Sequence, residues 1–178
     1  MNNKLLPNFD ERGCLPKGIY SPTLKEFKER FVTNQRRKEL FRNYKFFSKL
    51  CIDAKGIEKH YVDGSYVTNK KNPGDIDLLV IFNDNVYASQ ESYDNYFEIT
   101  HNQDEIKSKC GIHLFFSKNP INEPPELKVY WKNETNRILS WWGRFYIDRE
   151  RKIIDDNEKG FLLFDNEQLK KIVGDNRE

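Results

Sequence analysis

Two aspartates, Asp75 and Asp77, flank one isoleucine at the entrance to the apolar run Leu78-Leu79-Val80-Ile81-Phe82. Residues at i and i+2 of a strand project to the same face, so their carboxylates stand roughly 6–7 Å apart along the chain. Two uncompensated carboxylates that close repel each other. A divalent ion, or two ions about 4 Å apart, can bridge them and remove the repulsion. Ahead of them the short apolar stretch Tyr61-Val62 leads into Asp63-Gly64-Ser65, and nine residues separate Ser65 from Asp75. A glycine lets a phosphate approach the backbone closely, and Ser65 adds a hydroxyl and an amide donor. Lys70 or Lys71 can neutralise further phosphate charge. Mg²⁺ favours a few carboxylates together with substrate phosphates and water, so Mg²⁺, or Mn²⁺, is the expected ion. An Asp-x-Asp or a Gly-Ser alone says little. The ordered combination of strand, Gly-Ser, spacer, Asp-x-Asp and apolar strand reads as a nucleotide-phosphate site.

The elements that must position these residues are legible around them. An extended arm over residues 1–20, with Gly13, Pro16 and Gly18, precedes a helix with Leu24, Phe27 and Phe31 on one face. Its start is either Ser21 with Pro22 at the first helical position, or a Thr23/Glu26 capping box. A second helix carries Leu40, Tyr44, Phe47 and Cys51 and stops near Gly56. Pro73-Gly74 marks a turn before the strand Asp75–Phe82. Tyr96–Thr100 reads as a short strand and Cys110–Phe116 as a clear one. A third helix aligns Leu127, Trp131, Ile138, Trp142 and Phe145 on one face. Gly160–Phe164 reads as a last strand, 166–173 as a closing helix and 174–178 as a frayed tail. The expected fold is α/β (α+β): a single domain over 1–178, built on a small mixed β-sheet flanked by helices.

Composition bounds the possibilities. At 178 residues there is room for one domain, and the 14% aromatic content offsets a hydrophobic fraction of only 37%. No apolar run reaches the ~18 residues of a membrane span. The N-terminus has no apolar signal core, so a cytoplasmic protein without membrane contact is expected. Cys14, Cys51 and Cys110 form no metal-ligand or disulfide spacing. The net charge of +2 hides a split: residues 1–60 carry 14 Lys/Arg against 7 Asp/Glu, and residues 61–130 carry 6 against 11. Arg36-Arg37-Lys38 in the basic part suits a polyanion, or Arg37 or Arg42 could reach a triphosphate or pair with an acid. A charged helix exterior is the plainer expectation for that run.

The block Asp63-Gly64-Ser65-Tyr66-Val67-Thr68-x-Lys70-x-x-Pro73-x-Asp75-Ile76-Asp77, with Leu78–Phe82 behind it, resembles the DNA polymerase beta-like nucleotidyltransferase superfamily. With the arm Asn8–Ile19, Phe31-Val32 and Arg36-Arg37 it looks closer still to an uncharacterised family of short bacterial nucleotidyltransferase-like proteins. That resemblance implies Mg²⁺-dependent transfer of a nucleoside monophosphate from a nucleoside triphosphate to a protein or RNA acceptor. Small members suggest a toxin–antitoxin or phage-defence setting. It implies that Asp75 and Asp77 hold catalytic metal, and that Gly64 and Ser65, near Lys70, hold the triphosphate. A third carboxylate is expected on a neighbouring strand, where this chain carries His113. His113 is thus a candidate metal ligand, a candidate general base, or an ordinary strand histidine. Glu98 is the substitute acid. Trp141 and Tyr146, off the apolar stripe of the third helix, are candidates to stack on a base or acceptor. A histidine in place of an acid also suits a catalytically weakened module that binds nucleotide, RNA or a partner protein.

Overall fold

The computed structural model describes residues 6–142, 144–146 and 153–175. In chain order the elements are β1 (Ile19–Tyr20), α1 (Leu24–Phe31), α2 (Gln35–Asp53), β2 (Ile57–Asp63), β3 (Ile76–Phe82), α3 (Gln90–His101) and α4 (Gln103–Cys110). Then come β4 (Ile112–Lys118), α5 (Pro125–Trp142), β5 (Arg144–Tyr146), β6 (Ile153–Glu158), β7 (Phe161–Asp165) and α6 (Asn166–Gly174). Five strands form one mixed sheet in the order β1-β7-β2-β3-β4, and β5 pairs with β6 apart from it. Within the five, β2 runs antiparallel to both its neighbours, while β3 with β4 and β1 with β7 are parallel. The expected α/β (α+β) class with a small mixed sheet is the class observed.

The alternation of side chains along each strand divides the interior in two. Ile76, Leu78, Val80 and Phe82 of β3, with Ile112 and Leu114 of β4 and Leu162 and Phe164 of β7, face α1, α2, α3 and α6. Phe27 is central there, its ring 5.2 Å from Phe164, 5.5 Å from Phe31 and 5.6 Å from Phe41. Leu79 and Ile81, with Tyr61 and Phe161, form a smaller cluster on the opposite face, covered by Ile138 and Trp142 near the end of α5. Asp77 shares the parity of Leu79, and His113 that of Phe115, so both belong to the α5 face.

His60 lies on the larger-core side of β2. It is fully buried, its Nδ1 is 3.2 Å from the Tyr44 hydroxyl, and its Nε2 has no hydrogen-bond partner among the described residues. Burial pushes its pKa down to about 3. The folded state keeps His60 neutral, while the unfolded chain takes up a proton below about pH 6.5. This contribution to stability is therefore complete above that pH and is lost as pH falls toward 3. Between pH 6.5 and 5 the loss is roughly 2 kcal/mol, and urea titrations of wild type and His60→Phe check it: the variant's curve loses that share of the pH dependence.

Several local expectations change. The Thr23/Glu26 capping box starts α1: Thr23 Oγ1 accepts from the Glu26 amide at 3.2 Å, and Glu26 accepts from the Thr23 amide at 2.8 Å. Tyr96–Thr100 is helix, not strand, within α3, because Tyr96, Ile99 and Thr100 bury at helical spacing. Cys110 closes α4, and Gly111, left-handed at φ 66, turns the chain into β4. The α5 stripe is buried only at Ile138 and Trp142, whereas Leu127 is exposed and Phe145 falls in β5. The arm is not loose. Leu15 is buried, the Leu15 carbonyl accepts from the Gly160 amide at 2.8 Å, and β1 extends the sheet beside β7. At the other end Asp175 is buried against Lys28 at 2.6 Å, while 176–178, the rest of the tail expected to fray, fall on residues that are not described. Residues 1–5 and 176–178 lie outside the described residues.

Candidate functional site

Three adjacent strands bring a row of polar side chains together. In register, Asp63 of β2 stands opposite Asp77 of β3, and Asp77 opposite His113 of β4. His113 Nδ1 and Asp77 Oδ1 share a hydrogen bond of 2.9 Å. Asp75, one residue before β3, joins them: one donor atom each from Asp75, Asp77 and His113 lie within 4.8 Å of one another. All three side chains are partly accessible. This is a candidate metal-binding triad of two carboxylates and an imidazole.

Gly64 explains how the row packs against the turn that follows β2. Its backbone sits at φ 81, ψ −166, a region open in practice to glycine alone. A Cβ there would stand 2.2 Å from Asp77 Oδ2. The missing side chain is the space that the Asp77 carboxylate occupies. Gly64→Ala is expected to cost about 1–3 kcal/mol of stability and to displace Asp77. Nuclear magnetic resonance shifts of His113, the hydrogen-bond partner of Asp77, would then change in a protein that still unfolds cooperatively.

The chain after Gly64 makes a short 3-10 turn over Ser65–Val67 and runs to Asp75 without regular structure. It is held from α2. Arg37 is almost wholly buried, and its guanidinium donates to four carbonyls: Phe31 at 3.2 Å, and Tyr66, Thr68 and Lys70 at 2.7 Å each. Arg36 donates to the carbonyls of Pro73, at 3.2 Å, and Gly74, and Asn34 to that of Lys71 at 2.7 Å. The expectation of a charged helix exterior at Arg36-Arg37 is therefore corrected. These cations are spent on the backbone of the loop that sets Gly64-Ser65 against Asp75. The arm adds a second hold. Cys14 bridges Thr68, and the Gly13 carbonyl accepts from the Asn69 amide at 2.8 Å. Gly13, at φ 77, leaves the space that the Asn69 side chain fills.

Gly64, Ser65, Lys70, Asp75, Asp77 and His113 all line one cleft of about 570 Å³. Residues that sequence reasoning assigned no role also line it: Asp63, Arg12, Lys107 and Lys159. Asp63 and Lys159 form a buried ion pair across the sheet, Lys159 arriving on the turn between β6 and β7. Burial pushes the Asp63 carboxyl up to about 6, against the pull of the Lys159 ammonium. Burial first, then the Asp75 charge, also raises the Asp77 pKa, against the hydrogen bond from His113. Lys107 of α4 approaches Asp75 at 3.8 Å. The cleft thus sets three carboxylates beside Lys107 and Lys159, with Lys70 and with Arg12, itself paired to Asp10 at 2.6 Å, also on its walls. The adjacency of Asp63 to Gly64-Ser65 was the one sequence signal for its place; nothing local pointed to Lys159.

Trp141 forms part of the wall, its ring partly exposed and 5.9 Å from Phe115. Phe115 in turn lies 4.6 Å from the His113 ring. The Tyr146 side chain lies outside the described residues. Glu98 sits on the exposed side of α3 and is not among the residues that line the cleft. Its expected place on a strand beside the aspartates is thereby overturned.

A family model matches residues 7–165. The chain belongs to DUF6932, a family of unknown function. The span shared with DUF6932 runs from the arm through β7 and includes every cleft residue named above. No curated protein and no solved structure matches the chain. Among the described residues no helix is long and apolar enough to cross a membrane.

Proposed function

We propose that this protein is a minimal metal-dependent nucleotidyltransferase, moving a nucleoside monophosphate from a nucleoside triphosphate to a hydroxyl on a protein or RNA acceptor, with the α–β phosphoanhydride bond broken and pyrophosphate released. The observation that carries the reading is the convergence, in one cleft, of Gly64-Ser65 with Asp75, Asp77 and His113, whose donor atoms lie within 4.8 Å of one another. The resemblance of the Gly64–Asp77 block to the polymerase beta-like superfamily supports it from the sequence side.

The residues suit a divalent ion such as Mg²⁺ or Mn²⁺. Two carboxylates that repel each other gain from a shared cation, and Gly64 leaves Asp77 room to reach it. Asp75 and Asp77 would hold the ion, whose contribution when bound is to neutralise charge on the transferring phosphoryl group. The backbone at Gly64 admits a phosphate oxygen, and the Ser65 hydroxyl has no hydrogen-bond partner among the described residues. Lys70, Lys107 and Arg12 supply positive charge to the remaining phosphate oxygens. The acceptor hydroxyl must lose a proton, and the Asp77 carboxylate, hydrogen-bonded to His113 through one oxygen, offers its other oxygen to take it. The exposed side of Trp141 provides a flat apolar surface for a base.

A second reading, a module that binds nucleotide, RNA or a partner protein without transfer, draws on His113 standing where that resemblance expects an acid. One assay separates the two. The protein is incubated with each α-labelled nucleoside triphosphate and Mg²⁺ or Mn²⁺, with and without cell lysate. Label on protein or RNA that disappears with Asp75→Ala and Asp77→Ala supports transfer. No label under any condition, with wild type and variants binding nucleotide equally, overturns both the transfer and the metal site.

A further inference from the structure

We infer that His113 is a direct metal ligand and that the site is built for a first-row transition-metal dication, with Mg²⁺ the weaker occupant. The inference rests on the reading of Asp75 and Asp77 as metal-binding residues and concerns which ion they take.

His113 Nδ1 and Asp77 Oδ1 stand 2.9 Å apart. Two ligands at right angles on an ion with bonds of about 2.1 Å stand roughly 3.0 Å apart. The two atoms that now share a hydrogen are therefore already spaced as neighbouring ligands, and a cation can take that hydrogen's place with little movement of either ring or carboxylate. Asp75 completes the set within 4.8 Å. Ligands on such an ion lie at most about 4.2 Å apart, so closure asks only for a few tenths of an ångström from Asp75. Asp75 has room to move, since it precedes β3, its side chain is a third exposed, and its ion pair with Lys107 is long at 3.8 Å.

The ring of His113 is held for this task. It is fixed on one side by Asp77, in strand register, and on the other by Phe115 at 4.6 Å. Three protein ligands on an octahedral ion leave three positions for phosphate oxygens or water, as a catalytic site requires. The donor chemistry then selects the ion. Mg²⁺ is served by oxygen ligands, whereas imidazole nitrogen raises affinity for Mn²⁺ and the later first-row dications. An all-carboxylate set in the same cleft would lack that preference.

The test uses the full chain, stripped of metal, with Mn²⁺ alone as the probe and Mg²⁺ as competitor. Binding is followed through the electron paramagnetic resonance of free Mn²⁺, and electron spin-echo modulation of the bound ion reports any coordinated ¹⁴N. Wild type is expected to show histidine nitrogen on the bound Mn²⁺ and to prefer Mn²⁺ to Mg²⁺ by about 10-fold or more. In His113→Asp the nitrogen modulation disappears, the ion still binds, and the preference shrinks toward unity. His113→Ala removes a ligand outright and binds Mn²⁺ more weakly by at least the roughly 10–100-fold that losing a ligand's hydrogen-bond partner costs. Bound Mn²⁺ without nitrogen modulation, or equal affinity for the two ions in wild type, overturns the role of His113 and leaves the aspartate site standing. Absence of binding by either ion in both wild type and His113→Asp overturns the metal site itself.

Discussion

Replacing Asp77 with asparagine is expected to lower transfer of label about 10³-fold while leaving the protein more stable than wild type by roughly 1 kcal/mol. The two effects share one cause. Asp77 is held on β3 between Asp63 and His113, partly buried, with Asp75 two residues away. Burial and the Asp75 charge both penalise its ionised form, and its own charge in turn raises the Asp63 pKa. Asparagine fills the same volume and keeps an oxygen to accept a hydrogen bond from His113, but carries no charge. It relieves the repulsion and gives up the charge by which the proposed site would hold a cation. The sign follows from linkage. A carboxyl whose folded pKa is raised costs stability above that pKa, and the cost fades as pH falls and the group protonates. The stability gain of Asp77→Asn is therefore present at neutral pH and shrinks in acid. Urea titrations at two pH values, run beside the label-transfer assay, check both parts. A variant that is less stable than wild type and still transfers label would show that Asp77 serves packing and not chemistry.

The second large effect lies away from the carboxylates. Arg37→Met is expected to destabilise the protein by about 3–5 kcal/mol, the range for a buried charged group whose partners are left unpaired. Methionine can fill the space and lie against the Tyr66 ring, over which the guanidinium now sits at 5.2 Å. It cannot donate to the carbonyls of Phe31, Tyr66, Thr68 and Lys70. The loss falls on the segment between Gly64 and Asp75, so hydrogen exchange of the amides of residues 66–71 should accelerate more than that of β3. Arg37→Lys should recover only a minority of the loss, because one ammonium does not match four carbonyls spread around a planar fork. Unchanged stability in Arg37→Met would mean that the arm, through Gly13, Cys14 and Asn69, holds the loop by itself.

Much of the fold was readable because its signals are local. Phe27 and Phe31, and Tyr44, Phe47 and Cys51, recur at helical spacing and bury as that spacing requires. The run Ile76–Phe82 is long, branched and apolar, and it is the strand next to the sheet's β4 edge. Tyr96–Thr100 misled because β-branched and aromatic residues over five positions fit a strand as well as a helix, and only the burial of Tyr96 and Ile99 against Phe82 and α2 decides. Leu127 misled in the opposite way: its helical spacing is right, but it stays exposed, and the stripe is buried only at Ile138 and Trp142 near the end of α5.

For the site the division is sharper. Residue type and spacing along the chain determined that Gly64, Ser65, Asp75 and Asp77 belong together, because the glycine and the i, i+2 carboxylates act within a single turn and a single strand. Register decided the rest. The parallel pairing of β3 with β4 puts His113 beside Asp77, and the antiparallel pairing of β2 puts Asp63 on its other side. Lys159 reaches Asp63 from 96 residues along the chain, and Arg37 holds carbonyls about thirty residues away. Backbone hydrogen bonds between strands, and the need to satisfy buried carbonyls, carry no signature in the linear order of residues. They arise only when the chain closes, and here they turn a basic helix start into the support of the loop beside the cleft and a lone lysine into part of its wall.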